Sequence, residues 1–374
     1  MITTHLPFCS LAHAGLSPGT LPKEHFSKEY VELKQSSTAI LEQQAKDSIY
    51  YSQAWLELFT QLYGYTIIPI TTRNAAGQIT GYLPVCSMHS PITGRRLVAL
   101  PFSDYCPLLA VDDASTNDLI DQAVRLAQEQ KAKYLELRTG VNGVLAKRSD
   151  LAEGNLYVRW LIPLTADPDV TWSHLRKPVQ HQIKKSRKLG VQVHIAQSRE
   201  DMAHYYRLHL QNRCKKQGMP AQPRRFFFEL WDAFAANDAL QLLLAEYQGR
   251  IIAGMILLAS GTTVRYAYGA SDERYLQLAP NNLLMWTAIM WGCMKGSQTL
   301  DLGRTACDNH GLMEFKRRWG AIKEPLPYYY YPNIAGLAAT PENSRKFRLL
   351  TACWKLLPLR TAEALGGYLY KHLG

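Results

Sequence analysis

The sequence predicts an α/β fold with mixed sheets, built from two similar units in tandem. Apolar segments of strand length alternate with longer segments whose apolar residues recur at helical spacing. A helix that leads into a Leu-acid-Leu strand occurs at residues 134–138 and again at 300–304, and an apolar hairpin turn occurs at 77–81 and again at 249–254. The two features repeat at similar offsets, which indicates a duplicated unit. Chance similarity of two short hairpins is the alternative.

The first unit is assigned to residues 1–163, of which residues 1–50 are weakly patterned. Trp55, Leu58, Phe59 and Leu62 fall on one face of a helix, and the turn at residues 74–77 separates two β-rich segments. The predicted elements are helix 51–63, strands 65–71 and 79–87, a short apolar strand near 111, helix 119–130 and strand 134–138.

The second unit is assigned to residues 164–331 and is followed by a basic tail, residues 332–374. Gly190 ends a strongly basic helix, and residues 218–223 form a rigid loop rich in Pro and Gly. The predicted elements are helices 172–189, 199–217, 226–236 and 282–294, a short helix from Gly311, and strands 191–195, 240–247, 250–259, 264–270, 299–302 and 326–331.

The positive charge of the chain is concentrated in one segment. The formal net charge is +11, and residues 172–225 alone hold thirteen Lys or Arg residues against two acids, Glu200 and Asp201. Such a surface suits an anionic partner, for example a nucleotide phosphate, a nucleic acid or an anionic lipid. The hydrophobic content of 47% and the charged content of 20% are those of a globular protein, so wholesale disorder is not expected.

The cysteines and the apolar runs bear on the compartment. Seven scattered cysteines without a Cys-x-x-Cys pair argue against a disulfide framework or a zinc site, so no metal is predicted. No signal-peptide pattern is present, and the longest apolar run, residues 283–294, is too short to span a bilayer. We expect a soluble cytoplasmic protein.

Residues 342–374, the C-terminal part of the tail, have two interpretations. They either dock on the inner face of the plasma membrane or, the favoured alternative, pack on the second unit.

Residues 301–320 combine the polar groups best suited to chemistry. This stretch begins at the end of an apolar strand, turns at Gly303, carries Arg304 into a polar loop and restarts at Gly311 as a basic helix. Strand ends and helix starts are where α/β proteins place ligands. The alternative is an exposed basic helix after a core strand.

Several motifs follow one another in a specific order along residues 50–331. They are residues 81–85 with 94–105, residues 187–191, residues 217–220, residues 301–304 and residues 315–320. Together they resemble the FemAB-like branch of the GNAT acyltransferases, which includes the interpeptide-bridge aminoacyltransferases of peptidoglycan and the BioF2-like acetyltransferase domains. The resemblance implies two GNAT-like domains in tandem, in agreement with the repeat.

The resemblance also implies acyl transfer from a thioester or an aminoacyl-tRNA ester to an amine. In this family a Phe-Lys pair lies at the reaction centre, which makes Lys316 the first candidate for catalysis and Phe315 a candidate for donor binding. A fixed cation near the tetrahedral oxyanion formed by amine attack would lower the barrier. The alternative for Lys316 is a surface lysine on a basic helix.

The remaining candidate residues of the motifs keep two interpretations each. Asp301 orients Arg304 or accepts a proton, or it forms an ion pair that holds the turn. Arg304 is a candidate for binding a donor phosphate in a bidentate manner. Asp104 and Tyr105 fall in the family's acceptor region, and turn capping is the alternative for Asp104.

Three other side chains complete the set of candidates. Tyr268 is a candidate general acid for the leaving group, but alternation places it on the same strand face as Tyr266, which favours a core position. Arg187 is assigned to acceptor binding. His310 is taken as incidental, and no Ser-His-Asp order or Cys-His pair supports covalent catalysis.

The donor remains open. Acetyl-CoA users of the wider GNAT group place a glycine-rich loop before the helix that receives the pyrophosphate, whereas residues 274–279 here lack a central glycine. Arg274 and Asn281 are the candidate donor-binding residues, and Asn281 also suits a helix N-cap. The sequence leaves no room for a helical-hairpin arm after helix 226–236, so tRNA use is not assumed, although the basic segment suits a phosphate backbone.

These observations predict an N-acyltransferase or aminoacyltransferase without a tightly bound cofactor, with acyl-CoA or aminoacyl-tRNA as co-substrate. The resemblance alone implies the acceptor, an amine on a nucleotide- or lipid-linked sugar or peptide precursor of the cell envelope or an exopolysaccharide. The alternative is a non-catalytic polyanion-binding protein on a degenerate GNAT pair. The basic segment and the missing glycine favour this alternative, whereas Phe315, Lys316, Asp301 and Arg304 favour the enzyme.

Overall fold

The fold is organised around one mixed sheet that runs through both predicted units. The computed structural model describes residues 39–91, 93–334 and 345–372 of the chain. Most of the weakly patterned N-terminal stretch, and residues 335–344 and 373–374 of the tail, lie outside the described residues.

The strands of the sheet, in chain order, are β1 (Thr66–Arg73), β2 (Ile79–Ser90), β3 (Gly94–Val98), β4 (Leu109–Ala110), β5 (Leu135–Leu137), β6 (Ala152–Pro163), β7 (Gln192–Ile195), β8 (Leu240–Tyr247), β9 (Arg250–Ser260), β10 (Thr263–Ser271), β11 (Thr299–Ala306) and β12 (Ile322–Tyr331). The α-helices of the described residues are α1 (Ala39–Lys46), α2 (Gln53–Tyr63), α3 (Asp113–Glu129), α4 (Pro168–His174), α5 (Lys177–Lys188), α6 (Arg199–Gln211), α7 (Arg224–Phe234), α8 (Pro280–Met294), α9 (His310–Arg318), α10 (Arg345–Leu356) and α11 (Leu359–Tyr370).

The order of the strands reveals the duplication. Along the sheet the order is β1-β2-β3-β5-β12-β6-β11-β10-β9-β8-β7, with β4 beside β2. In the first half, antiparallel β1, β2 and β3 lead to a parallel β3–β5 pair. In the second half, antiparallel β8, β9 and β10 lead to a parallel β10–β11 pair. The predicted α/β class and tandem repeat are confirmed.

The last strand of each half pairs with the other half. Strand β6 follows β5 in the chain but hydrogen-bonds to β11, and β12 follows β11 but hydrogen-bonds to β5. Strands β6 and β12 also pair with each other. A continuous backbone ladder therefore joins the halves, and the predicted boundary between residues 163 and 164 falls directly after a strand that both halves use.

Strand β6 was absent from the predicted elements. Its sequence, AEGNLYVRWLIP, mixes polar and apolar residues and contains a lone arginine. In the centre of the sheet, Val158, Trp160 and Ile162 are buried on one face, while Arg159 reaches the carboxylate of Asp301 across the ladder. Judged from the local sequence alone, a charged residue argues against a central strand. Here a carboxylate from a distant segment stabilises that charge inside the sheet.

The predicted basic helix 172–189 is two helices, α4 and α5. Leu175 and Arg176 take extended conformations, with ψ of 139° and 140°, and break the helical path. Pro178 lies in the first turn of α5, where its missing N–H costs no hydrogen bond. The position of this proline is the local reason for a new helix start.

Helices cover both faces of the sheet and divide the core into two clusters. Trp55 and Phe59 of α2 and Phe226 of α7 belong to the first cluster. Ile183 of α5 and Trp286 of α8 belong to the second. One face of β10 packs against the first cluster, and the other face packs against the second.

The C-terminal helices pack on both halves of the molecule, whereas the sequence favoured packing on the second half alone. Lys215 Nζ donates hydrogen bonds to the carbonyl oxygens of Lys355 and Leu357 at 3.0 and 2.6 Å. The Tyr65 hydroxyl donates to the carbonyl oxygen of Lys371 at 2.6 Å. Membrane docking of residues 342–374 stays a prediction, and no helix of the described residues has the length and apolar character needed to cross a bilayer.

Candidate active site

The parallel strands β10 and β11 separate near their midpoints, and polar side chains gather at the point of separation. The strands pair only over residues 263–265 and 299–301. Immediately beyond, Gly303 takes a left-handed conformation with φ of 72°. A Cβ atom at this position would lie 2.8 Å from Asp104 Oδ2, so glycine also allows the loop of the first half to approach β11.

Asp301 is the buried anion of this site. Its side chain, 2% exposed, accepts hydrogen bonds from Arg265 Nη1 at 2.7 Å, from Arg159 Nε at 3.1 Å and from the Gly303 backbone N–H at 2.8 Å. Among the described residues its ion-pair partners are these two arginines rather than Arg304. Donors occupy both carboxylate oxygens, so the geometry fits a positioning role better than proton acceptance.

Asp104 joins the two halves at the same place. Its Oδ2 accepts from Arg265 Nη2 at 2.5 Å and from the Arg304 backbone N–H at 3.0 Å, and its Oδ1 lies 3.4 Å from Arg304 Nε. Burial opposes ionisation, but the two arginines outweigh it and lower the pKa of Asp104 to about 2. These partners lie 161 and 200 residues away in the chain, so the carboxylate bridges segments instead of capping its own turn.

Lys316 is buried rather than a surface lysine. The residue is 5% exposed, and its Nζ donates to the carbonyl oxygens of Leu302, Gly303 and Arg304 at 2.7, 3.0 and 3.1 Å. An ammonium group has three N–H donors, so this cage of carbonyl oxygens matches its capacity. Burial lowers the pKa of Lys316 to about 8, although Asp104 and Asp301 oppose the decrease.

Arg304 is the arginine of the cluster with the most exposed side chain. This side chain is 36% exposed, against 8% for Arg265 and 17% for Arg159. Its guanidinium lies 4.4 Å from the centre of the Tyr157 ring and donates to the Tyr328 hydroxyl at 3.3 Å. Arg304 is therefore positioned by aromatic neighbours while it remains available to an anionic ligand.

The two tyrosines of β10 lie on opposite faces of the sheet, so the predicted alternation was wrong here. The ladder between β10 and β9 shifts register between Tyr266 and Tyr268, which leaves Ala267 as an extra residue in a bulge. Tyr266 packs with the second core cluster and Tyr268 with the first, against Phe226 and Phe227. Burial raises the pKa of Tyr268 well above its usual value, so its hydroxyl keeps its proton at neutral pH.

Two other predicted residues border the cluster. The guanidinium of Arg159 lies 4.3 Å from the centre of the Tyr105 ring, which brings Tyr105 next to the buried charges. Phe315 is half-buried against the second core cluster beside Lys316, with its ring centre 6.5 Å from that of Trp319.

Arg274 and Arg187 lie away from the cluster. Arg274 is exposed and forms an ion pair with Asp272, with Nη2 and Oδ2 2.6 Å apart. Arg187 is exposed near the end of α5. The structure therefore does not bring these two predicted binding residues together with Asp301. Only an extended substrate could contact them and the cluster at the same time.

Asn281 is not the N-cap of α8, so this prediction was wrong. The helix begins at Pro280, and the N-cap is Ala279 in a left-handed conformation with φ of 54°. Asn281 Nδ2 instead donates to Ser271 Oγ at 3.2 Å. Pro280 has no N–H, and the N–H groups of residues 282 and 283 already donate to the carbonyl of Ala279. This helix start therefore offers few free N–H donors to a pyrophosphate.

Sequence reasoning missed the two arginines that bind Asp301. Arg265 is a lone charge between Val264 and Tyr266 in an apolar strand, and Arg159 is a lone charge in β6. A single arginine inside an apolar strand segment is the signal that could have indicated a buried ion pair, because arginine is rarely buried without a partner.

A cavity of about 390 Å³ opens beside the buried charges. Its lining includes Tyr50, Tyr105, Arg159, Arg265 and Asp301. The mixture of aromatic rings, arginines and a carboxylate is typical of a binding site for a polar substrate.

Comparisons with known proteins bear on the fold and the class of protein. Residues 173–317 match the family model described as acetyltransferase (GNAT) domain. The lipid II:glycine glycyltransferase of Staphylococcus epidermidis is 31% identical over 102 residues, which cover 25% of this chain and 24% of that protein. Residues 173–317 are thus similar to GNAT acetyltransferase domains, and about a quarter of the chain is similar to a lipid II:glycine glycyltransferase.

Solved structures of similar fold are also known. The crystal structure of FemX aligns with a TM-score of 0.62 at 15% identity, over 77% of this chain and 94% of that one. The structure of L-PGS from Bacillus licheniformis aligns with a TM-score of 0.55 at 11% identity, over 90% of this chain and 98% of that one. The match to the curated relatives, by contrast, spans about a quarter of their length.

Proposed function

We propose that this FemAB-like chain transfers an aminoacyl group from an activated ester to an amine on a precursor of the cell envelope. The observation that carries the proposal is the cluster of four cations, Arg159, Arg265, Arg304 and Lys316, around two carboxylates at the separation of β10 and β11. The cluster has a net positive charge and is mostly buried. Such fixed charges stabilise an oxyanion without reorganisation at the moment of reaction.

The proposed reaction is a single displacement through a tetrahedral intermediate. The amine nitrogen bonds to the ester carbonyl carbon, the carbonyl oxygen becomes an oxyanion near Arg304, and the ester C–O bond then breaks. Lys316 fixes the carbonyl groups of residues 302–304 and thereby positions Arg304. Tyr268, which keeps its proton, donates it to the leaving oxygen and regains one from the attacking amine. Asp104 and Asp301 hold the arginines in place.

An aminoacyl-tRNA ester fits the donor side better than acyl-CoA. The start of α8 has few free N–H donors, which weakens the usual support for a CoA pyrophosphate. Helix α5 presents Lys177, Lys184, Arg187 and Lys188 as exposed side chains, and none of them forms an ion pair within the described residues. Uncompensated positive charge along a helix suits an RNA backbone.

The acceptor proposal follows from the relatives. The glycyltransferases similar to this chain are named for glycine transfer to lipid II. A lipid-linked precursor that carries a peptide or an amino sugar would present the primary amine that the reaction requires. Both the acceptor class and the place of action at the inner face of the membrane are parts of the proposal.

Ligand-induced stabilisation distinguishes the donors. The unfolding midpoint of the full chain is measured with glycyl-tRNA, uncharged tRNA, acetyl-CoA and a longer acyl-CoA, each at low and high salt. A ligand that binds only the folded state raises the midpoint by mass action. We expect a larger rise with charged than with uncharged tRNA. A rise with acyl-CoA that persists at high salt would replace the tRNA donor by a CoA ester.

A transfer assay with matched variants tests the catalytic assignment. We expect Lys316→Ala to lower the rate of transfer at least a hundredfold, because the carbonyl cage and Arg304 lose their anchor. Lys323→Ala removes an exposed lysine of β12 and is expected to leave the rate unchanged. Equal rates for the two variants would contradict the assignment.

The unpaired charges of α5 also support a second candidate function, a non-catalytic polyanion-binding protein. That function predicts stabilisation by any polyanion, lost at high salt, with no transfer from any donor. The same measurements therefore decide between the two functions.

A further inference from the structure

The C-terminal helix α11 brings a tyrosine to the edge of the candidate active site. The Tyr370 ring stacks on Phe102 with centres 4.9 Å apart and planes at 15°, and Phe102 in turn lies 5.5 Å from Tyr63. Phe102 precedes Asp104 by two residues in the loop that contacts Arg304. The end of the tail thus packs directly on the loop that carries the acceptor-side carboxylate.

Backbone contacts fix this position of α11 from both halves of the molecule. A Cβ atom on Gly366 would lie 3.1 Å from the carbonyl oxygen of Ala221, so the helix approaches the second half as closely as a glycine allows. Arg96 Nη2 donates to the carbonyl oxygen of His372 at 3.0 Å from the first half. The helix and the residues that follow it therefore contact both halves of the molecule beside the Asp104 loop.

Three tyrosine hydroxyls from three different elements, Tyr63 of α2, Tyr268 of β10 and Tyr370 of α11, make no hydrogen bond to another described residue. The Tyr63 hydroxyl is buried without one, and neither Tyr268 nor Tyr370 makes a hydrogen bond through its hydroxyl there. Burial raises the pKa of Tyr370 to about 12, and its other electrostatic neighbours are Arg213, Arg304 and Asp104. The buried Tyr63 phenol costs free energy while it lacks a partner, and a substrate group or water beside Tyr370 would recover that cost.

We propose that α11 is part of the substrate site and that the Tyr370 hydroxyl hydrogen-bonds the acceptor. This inference rests on the proposed function. Tyr63 and Tyr370 border the first core cluster, whereas the basic α5 that suits the donor packs on the second. The acceptor therefore enters from the tail side.

The chemistry around Tyr370 defines the acceptor group that fits there. Stacked rings and free hydroxyls suit a flat or ring-shaped group with hydrogen-bonding atoms, and Arg304 beside them suits a nearby negative charge. A sugar ring and a peptide plane share this chemistry. D-glucosamine and the dipeptide alanyl-lysine represent the two sources, and each carries a primary amine.

The test compares Tyr370→Phe with Tyr368→Phe in the full chain. The first variant removes the hydroxyl and keeps the stacking ring. The second removes a hydroxyl from an exposed tyrosine of the same helix, whose ring packs on His372. With glycyl-tRNA or acetyl-CoA as donor, we expect Tyr370→Phe to raise the KM of one acceptor about fivefold, as the loss of one neutral hydrogen bond would. The kcat and the unfolding midpoint should stay near those of the unmodified chain.

The outcomes separate this inference from the proposed function. Equal acceptor KM values for the two variants would overturn the role of Tyr370 while transfer itself continued. Absence of transfer with both donors would overturn the proposed function, and the role of Tyr370 is then tested by the rise in unfolding midpoint that each acceptor causes. The inference requires a smaller rise in Tyr370→Phe than in Tyr368→Phe. Equal rises, or none with either acceptor, would overturn it.

Discussion

At the scale of single residues, the site is a buried ion network whose members come from four distant segments. Asp301, Arg265, Arg159 and Asp104 lie in β11, in β10, in β6 and in a loop of the first half. Each arginine is desolvated and depends on a carboxylate for compensation. Removal of one partner from such a network costs more than the pair itself contributes, because the other charge stays buried.

Asp301→Asn is expected to lower the free energy of unfolding by about 3 kcal/mol, since it leaves Arg159 and Arg265 without their shared carboxylate. Urea denaturation measures the change. Glu129→Gln, which neutralises an exposed carboxylate at the end of α3, serves as the control and should change stability by less than about 0.5 kcal/mol. Similar stability of the two variants would contradict the network.

The depressed pKa of Lys316 predicts a pH dependence of stability. Between its folded pKa of about 8 and the ordinary lysine value of 10.5, the unfolded chain binds a proton that the folded chain does not. Stability therefore rises with pH across this window relative to Lys316→Met, by about 3 kcal/mol in total. Denaturation of both proteins at pH 7.5 to 10.5 measures the difference. A constant difference would mean that Lys316 has an ordinary pKa.

The motif residues were predictable from the sequence, but their partners were not. Asp104, Asp301, Arg304 and Lys316 stand in motifs with a specific order, so they could be named before the structure. Arg159 and Arg265 became visible only through the ladder that brings β6, β10 and β11 together. Long-range strand pairing is the information that local patterns lack.

At the scale of elements, one-residue irregularities decide which face a side chain uses. The bulge at Ala267 places Tyr266 and Tyr268 on opposite faces, and strict alternation cannot anticipate an extra residue. The start of α8 is a second case, because Pro280 moves the cap to Ala279. By contrast, the hairpin β1–β2 and helices α2 and α7 follow their sequence patterns closely, since turn residues and apolar periodicity define them locally.

Ala279→Gly is expected to stabilise the protein by about 1 kcal/mol, because Ala279 holds a left-handed conformation that glycine adopts without strain. Thermal denaturation measures the shift. Ala352→Gly, at an exposed position inside α10, is the control of opposite sign and should destabilise by about 1 kcal/mol. Destabilisation by both variants would mean that Ala279 is not strained.

At the scale of the whole molecule, the exchange of last strands makes the two halves depend on each other. Strand β6 completes the second half and β12 completes the first, so neither half has its full set of strand pairings when the other unfolds. The candidate site lies at this junction, with Asp104 from one half and Arg304 from the other. A continuous strand ladder therefore joins the duplicated units, and the candidate site lies where they meet.

This arrangement predicts one unfolding transition that core mutations in either half shift together. Leu135 and Leu300 are fully buried and occupy equivalent positions in β5 and β11, so Leu135→Ala and Leu300→Ala should each lower the free energy of unfolding by about 3 kcal/mol. Calorimetry should show a single peak for both variants, moved to lower temperature. Lys323→Ala, at an exposed position of β12, should leave the peak in place. Two separate peaks, of which each variant moves only one, would mean that the halves unfold independently despite the shared ladder.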